Sequence, residues 1–164
     1  MVIRHFYIKA VSILFLVSFF SGCSTLAVKR DESKSVRLYS YSYDEVWKNL
    51  IEEISKIGDT IKLQNKEKGI ILTGYDSISL KELKRIANMP PLAISSGMAG
   101  AWLYARNKVD YSIKSVSPVE TQVKITVYLQ GYNASGQRWI NIFTNGTKEK
   151  EAFDELQTRL EKSN

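Results

Sequence analysis

From Val36 onward the spacing of hydrophobic and polar positions defines a series of elements. Val36-Arg37-Leu38-Tyr39-Ser40 alternates apolar with polar or amphipathic residues, the period of a half-buried strand. The period then lengthens. Val46, Leu50, Ile54 and Ile57 fall along one helical face, and Trp47 and Ile51 widen it. Ser42 and Glu45 have the spacing of a capping box, with Tyr41 and Val46 at the positions of a hydrophobic staple. Asp44 and Glu45 suit the positive end of a helix dipole, and Gly58 suits a left-handed C-cap. This pattern predicts a helix over 43–57, its aromatic and aliphatic stripe forming core.

Residues 60–64 and 69–75 predict an antiparallel pair around Asn65-Lys66-Glu67-Lys68, where Gly69 can take the positive φ of a short turn. Ile70-Ile71-Leu72 is a continuous apolar run, so its period leaves the buried face open. Residues 109–116 and 122–132 predict a second pair around Ser117-Pro118-Val119-Glu120. In the latter strand Val123, Ile125, Val127 and Leu129 point one way, and Lys124, Thr126, Tyr128 and Gln130 the other. Asn133 to Gly136 reads as a turn and 137–144 as a further strand. Thr147 is expected to cap a final helix that buries Ala152, Phe153, Leu156 and Leu160.

Between these pairs, 76–108 reads as an irregular apolar insertion. Leu80 to Ile86 suits a short helix, which Met89-Pro90-Pro91 would stop. Ile86 to Ala105 carries no charge. The prolines, Asn88 and two serines argue against a membrane span. Two readings remain open: a partly helical loop over the sheet, or an exposed element that meets a partner or dips into lipid. On the second reading Met98, Trp102, Leu103 and Tyr104 are the contact residues, anchored by Trp102 and Tyr104.

The N-terminus has its own pattern. Arg4 and Lys9 precede an apolar or small-residue run from Ala10 to Phe20, which is shorter than the roughly 20 residues a spanning helix needs. Phe20-Ser21-Gly22-Cys23 follows and resembles the lipobox of bacterial lipoproteins, with Phe20 where that motif usually has Leu. The resemblance implies a signal peptide over 1–22 and a diacylglyceryl group on the Cys23 thiol. It also implies transport to the outer membrane where the organism has one, because Ser24 rather than Asp follows the cysteine. Acyl chains at about 0.8 kcal/mol per buried methylene hold a protein on a bilayer well only when two or more are present. An uncleaved helical anchor and an ordinary cleaved signal are the other readings. Residues 23–35 are polar and read as a lipidated tether reaching about 20 Å, with one α+β domain over 36–164.

Composition narrows the chemistry. Loss of Arg4 and Lys9 from 23 basic residues leaves 21 against 17 acids, a mature charge of about +4. No basic run is interleaved with stacking aromatics, so nucleic acid is not an expected partner. His5 is the only histidine and Cys23 the only cysteine. A mature chain without imidazole or free thiol has no histidine general base, no cysteine nucleophile and no His or Cys metal ligand. No cofactor, metal or disulfide is expected. The acids group at Asp44 and Glu45 and at Glu149 and Glu151, where helix first turns explain them better than a catalytic pair does.

The predicted order is strand, helix, two strands, insertion, three strands, helix. An antiparallel sheet with two main helices on one face would bury both stripes. Tyr43-Asp44-Glu45-Val46-Trp47 and Asn65-Lys66-Glu67-Lys68-Gly69-Ile70-Ile71 resemble the helix opening and strand turn of helix-grip domains in BamC-type outer-membrane lipoproteins. The resemblance covers about 36–75 and implies a helix-grip fold without catalytic residues. The expected function is a non-enzymatic envelope lipoprotein that binds a protein partner or stabilises an assembly. The alternative is a lipid or small-ligand binder with an apolar cavity between helix and sheet, lined by Trp47, Trp102 or Trp139.

Overall fold

A computed structural model describes residues 32–88 and 102–163. Its spine is a long antiparallel hairpin, β5 (Trp102–Ser117) and β6 (Glu120–Asn133). Short strands flank the spine in pairs. On the β6 side lie β1 (Val36–Tyr39) and β7 (Arg138–Ile142). On the β5 side lie β3 (Ile70–Thr73), with β2 (Ile61–Asn65) beyond it, and β4 (Asp76–Ile78). All pairings of this seven-stranded sheet are antiparallel.

Helix α1 (Tyr43–Ile57) has the expected bounds and capping box. Ser42 Oγ accepts from the Glu45 N–H, and the Ser42 N–H donates to Glu45 Oε2 at 2.9 Å. Gly58 closes the helix at φ 83°, a conformation that costs other L-residues about 1–2 kcal/mol. Helix α2 (Leu80–Ile86) is capped by the Ser79 side chain. Helix α3 (Thr147–Lys162) differs from expectation at its start. Gly146, at φ 90°, is the N-cap and makes no side-chain capping bond, while Thr147 is the first helical residue. The Thr147 N–H is instead satisfied by Asn145 Oδ1 at 3.0 Å.

The helices pack on one face of the sheet. Val46, Trp47, Leu50 and Ile54 of α1 and Phe153, Leu156 and Leu160 of α3 meet Val109, Tyr111, Ile113, Val123, Ile125 and Val127. Each Leu or Ile buried there contributes roughly 1.5–3 kcal/mol. A second cluster, Leu83, Ile86, Ala87, Ala105 and Leu129, seats α2 at the other end of the spine. Arg85 ties α2 to α3, pairing with Glu82 at 2.6 Å and with Glu151.

The expectation of an irregular segment over 76–108 is corrected at both ends. β4 occupies 76–78, and β5 begins at Trp102, seven residues before the predicted start. Beyond Trp102 the inward positions of this extension are Ala105 and Asn107, too weak a pattern to mark a strand, while Arg106 and Lys108 face outward. Cross-strand pairing with Leu129 to Asn133 holds it extended.

Candidate functional site

The two faces of the spine differ in kind. Odd-numbered residues from Ala105 to Ile113 and from Thr121 to Asn133 face the helices. Even-numbered residues therefore face the opposite side, which no described helix covers. Register places Tyr104 beside Tyr132, Arg106 beside Gln130 and Lys108 beside Tyr128. Across β6, Tyr132 pairs with Trp139 and Gln130 with Asn141.

These positions form a continuous aromatic and cationic network. The Tyr104 and Tyr132 ring centroids are 6.0 Å apart, and the Trp139 ring meets Tyr132 edge-on at 5.4 Å. The Arg106 guanidinium carbon lies 4.0 Å from the Trp139 centroid and 4.4 Å from that of Tyr75. Arg106 Nε donates to Gln130 Oε1 at 2.8 Å, and Gln130 Nε2 donates to Asn141 Oδ1 at 2.7 Å. Lys108 Nζ lies 4.3 Å from the Tyr128 centroid and pairs with Asp110 at 2.7 Å. Asp110 is held in turn by the Thr73 N–H at 3.2 Å. Tyr104 is 63% exposed and Trp139 37% exposed. Such a surface offers ring faces, cations and hydrogen-bond donors to whatever meets it.

Of the residues the sequence singled out, Cys23 and Met98 lie outside the described residues. Trp102, Leu103 and Tyr104 are strand residues, and they do not act together. A register shift between Trp102 and Tyr104 leaves two β5 residues facing one on β6. That extra residue reverses the facing. Trp102 turns toward the helices, its ring occupying the place where a Gly131 side chain would stand. Tyr104 joins the open face, and Leu103 is half exposed. The sequence reading missed Tyr75, Arg106, Lys108, Tyr132 and Trp139 as companions of Tyr104. The alternation Tyr104-Arg106-Lys108 against Tyr128-Gln130-Tyr132 was the available signal. Aromatics and cations absent from any one run are interleaved here across three strands.

Trp47 sits in the main core rather than at a cavity. Two open clefts, of about 430 Å³ and about 690 Å³, lie at the start of α3 and beside the Lys66-Glu67-Lys68-Gly69 turn, and no tryptophan lines either.

Glu149 lies in the first turn of α3, as expected, and is also buried there, with Oε1 accepting from Thr144 Oγ1 at 2.6 Å. Asp59 is drawn up from the usual carboxylate range by burial, then by the neighbouring Asp76 charge. Tyr39 and Tyr111 are pushed up by burial. Among the described residues no three His, Cys, Asp or Glu side chains form a metal-holding group, and no described helix is long and apolar enough to cross a membrane.

No family profile and no curated protein sequence matches the chain. Among solved structures it is similar to a DUF4468 family protein from Bacteroides ovatus ATCC 8483, at 12% identity and a TM-score of 0.41, over 84% of this chain and 91% of that one.

Proposed function

We propose that the protein is a non-enzymatic envelope lipoprotein, anchored through lipid on Cys23, whose helix-grip-like domain binds a protein partner with the open face of its sheet. The observation that carries this reading is the network of Tyr75, Tyr104, Tyr128, Tyr132 and Trp139 around Arg106 and Lys108, on a face that no described helix covers. Tyr, Trp and Arg concentrate binding energy at protein interfaces, where rigid rings lose little entropy on contact. The helix side supports the same reading, because Val46, Ile54, Ile125, Val127 and Leu156 fill it at 0% exposure. A filled helix side favours recognition on the outer face. A polar tether behind a lipidated Cys23 would keep the domain close to membrane-held partners.

The test is affinity capture of the full-length protein from native membranes. The parent and Lys48→Ser, which alters the exposed side of α1, should retain one stoichiometric protein. Tyr104→Ser combined with Tyr132→Ser should lose it. A partner that survives the double substitution, or no stoichiometric partner for the parent, overturns the reading. Separately, Cys23→Ala should leave an unprocessed precursor, and normal processing would refute the lipid anchor.

A further inference from the structure

We propose that Arg106 determines specificity on the open face, as a fork preset for an Asp or Glu carboxylate of an acidic protein partner. This rests on the reading that the face binds a protein. Three other arginines of the domain are spent on internal carboxylates: Arg37 on Asp154, Arg85 on Glu82 and Glu151, Arg159 on Glu52 and Glu53. Arg106 is held differently. Two rings sandwich its guanidinium, and its Nε is engaged by a neutral amide, Gln130. Among the described residues no carboxylate pairs with it.

The consequence is geometric. Guanidinium is planar and carries two terminal amino groups that match a carboxylate in a bidentate arrangement. Most arginines must give up side-chain freedom to form that pair. Arg106 is already fixed by Tyr75, Trp139 and Gln130, so an incoming carboxylate meets an ordered donor. Gln130 is itself oriented by Asn141, which fixes the Nε partner in turn.

Charge points to the same occupant. The outward positions of β5 and β6 carry four cations, Arg106, Lys108, Lys114 and Lys124, against two carboxylates, Asp110 and Glu120. Helices α1, α2 and α3, on the other side of the sheet, together carry ten carboxylates against nine cations. An acidic surface is thus attracted more to the open face than to the nearly balanced helical one. The exposed rings of Tyr104 and Trp139 and the half-exposed Leu103 supply an apolar seat beside the fork. A small phosphate ion has no use for that seat, whereas a protein segment with an acidic residue beside aromatic or aliphatic ones uses both parts.

The experiment is site-specific photocrosslinking in intact cells, with p-benzoylphenylalanine replacing Tyr104 in the full-length protein and, as a control, Lys48 on α1. Position 104 should give a protein adduct whose crosslinked peptide has an excess of Asp and Glu, and position 48 should not. Arg106→Gln should lower the position-104 adduct by about tenfold or more, the loss of a charge-assisted pair. Arg106→Lys should fail to restore it, because an ammonium has no planar fork. Lys114→Gln should change it by less than about twofold, as expected for a rim charge. Detergent-extracted complexes with the parent protein should dissociate as salt rises, which probes the contact without any substitution. A neutral or basic crosslinked peptide, an unchanged adduct in Arg106→Gln protein that melts like the parent, or a salt-insensitive complex overturns the role of Arg106 while leaving protein binding by the face intact. An adduct to lipid or glycan from position 104, or none from it, overturns both.

Discussion

Gly131→Ala measures where the Trp102 ring lies. Gly131 has no positive φ, so alanine meets no backbone strain, and it should gain roughly 0.4–1 kcal/mol from a less flexible unfolded chain. The obstacle is the ring. A Cβ at position 131 would stand 2.5 Å from Trp102 Cε3, 2.7 Å from Cζ3 and 3.1 Å from Ile142 Cδ1. Carbon atoms pack at about 3.5–4.0 Å, so the indole must retreat by about 1 Å. Overpacking of this kind costs about 1–3 kcal/mol. The net loss is then about 0–2.6 kcal/mol, which for a domain of this size is a fall in Tm of up to about 10 °C. Circular dichroism melts of four proteins close the test: the parent, Gly131→Ala, Trp102→Ala and the double variant. With the ring removed, alanine should become neutral or stabilising, giving a coupling of about 1–3 kcal/mol between the two positions. If Gly131→Ala raises the parent's Tm, or shifts it equally in the Trp102→Ala background, Trp102 does not pack inward.

Three further outcomes test the frame around the site. Ser42→Ala removes the hydroxyl side of the capping box at α1, leaving the backbone N–H of residue 42 on Glu45, and should cost about 0.5–2 kcal/mol in chemical denaturation; an unchanged midpoint would show that the hydroxyl cap adds nothing. Leu156→Ala empties a site with 0% exposure between α3 and the sheet and should cost about 2–5 kcal/mol, read as a lower midpoint in the same denaturation. Asp59 has a folded pKa raised by burial and by Asp76, so the folded state holds its proton more tightly than the unfolded one. That stabilises the protein below the unfolded value near 3.9, and the contribution is lost as pH rises through the folded value. Asp59→Asn should therefore raise Tm relative to the parent at pH 7 and lose that advantage toward pH 3, whereas an equal shift at both values would count against a raised pKa.

The elements with local causes were legible in the sequence. Helix α1 starts and stops where Ser42, Glu45 and Gly58 say it must, because caps and turns are satisfied by atoms a few residues away. The turn at Gly69 and the facing of Val123, Ile125 and Val127 follow from the same short-range rules. Tertiary structure decided the rest. Trp102 and Tyr104 were read as partners, yet a one-residue bulge against β6 sends them to opposite faces. That register is fixed by hydrogen bonds to residues about thirty positions away, which no local pattern records. Thr147 had the chemistry of an N-cap, but the left-handed Gly146 took that place. Arg106 is an unremarkable arginine in the sequence. Its distinction arises only when β4, β5, β6 and β7 align side by side and close Tyr75 and Trp139 over it.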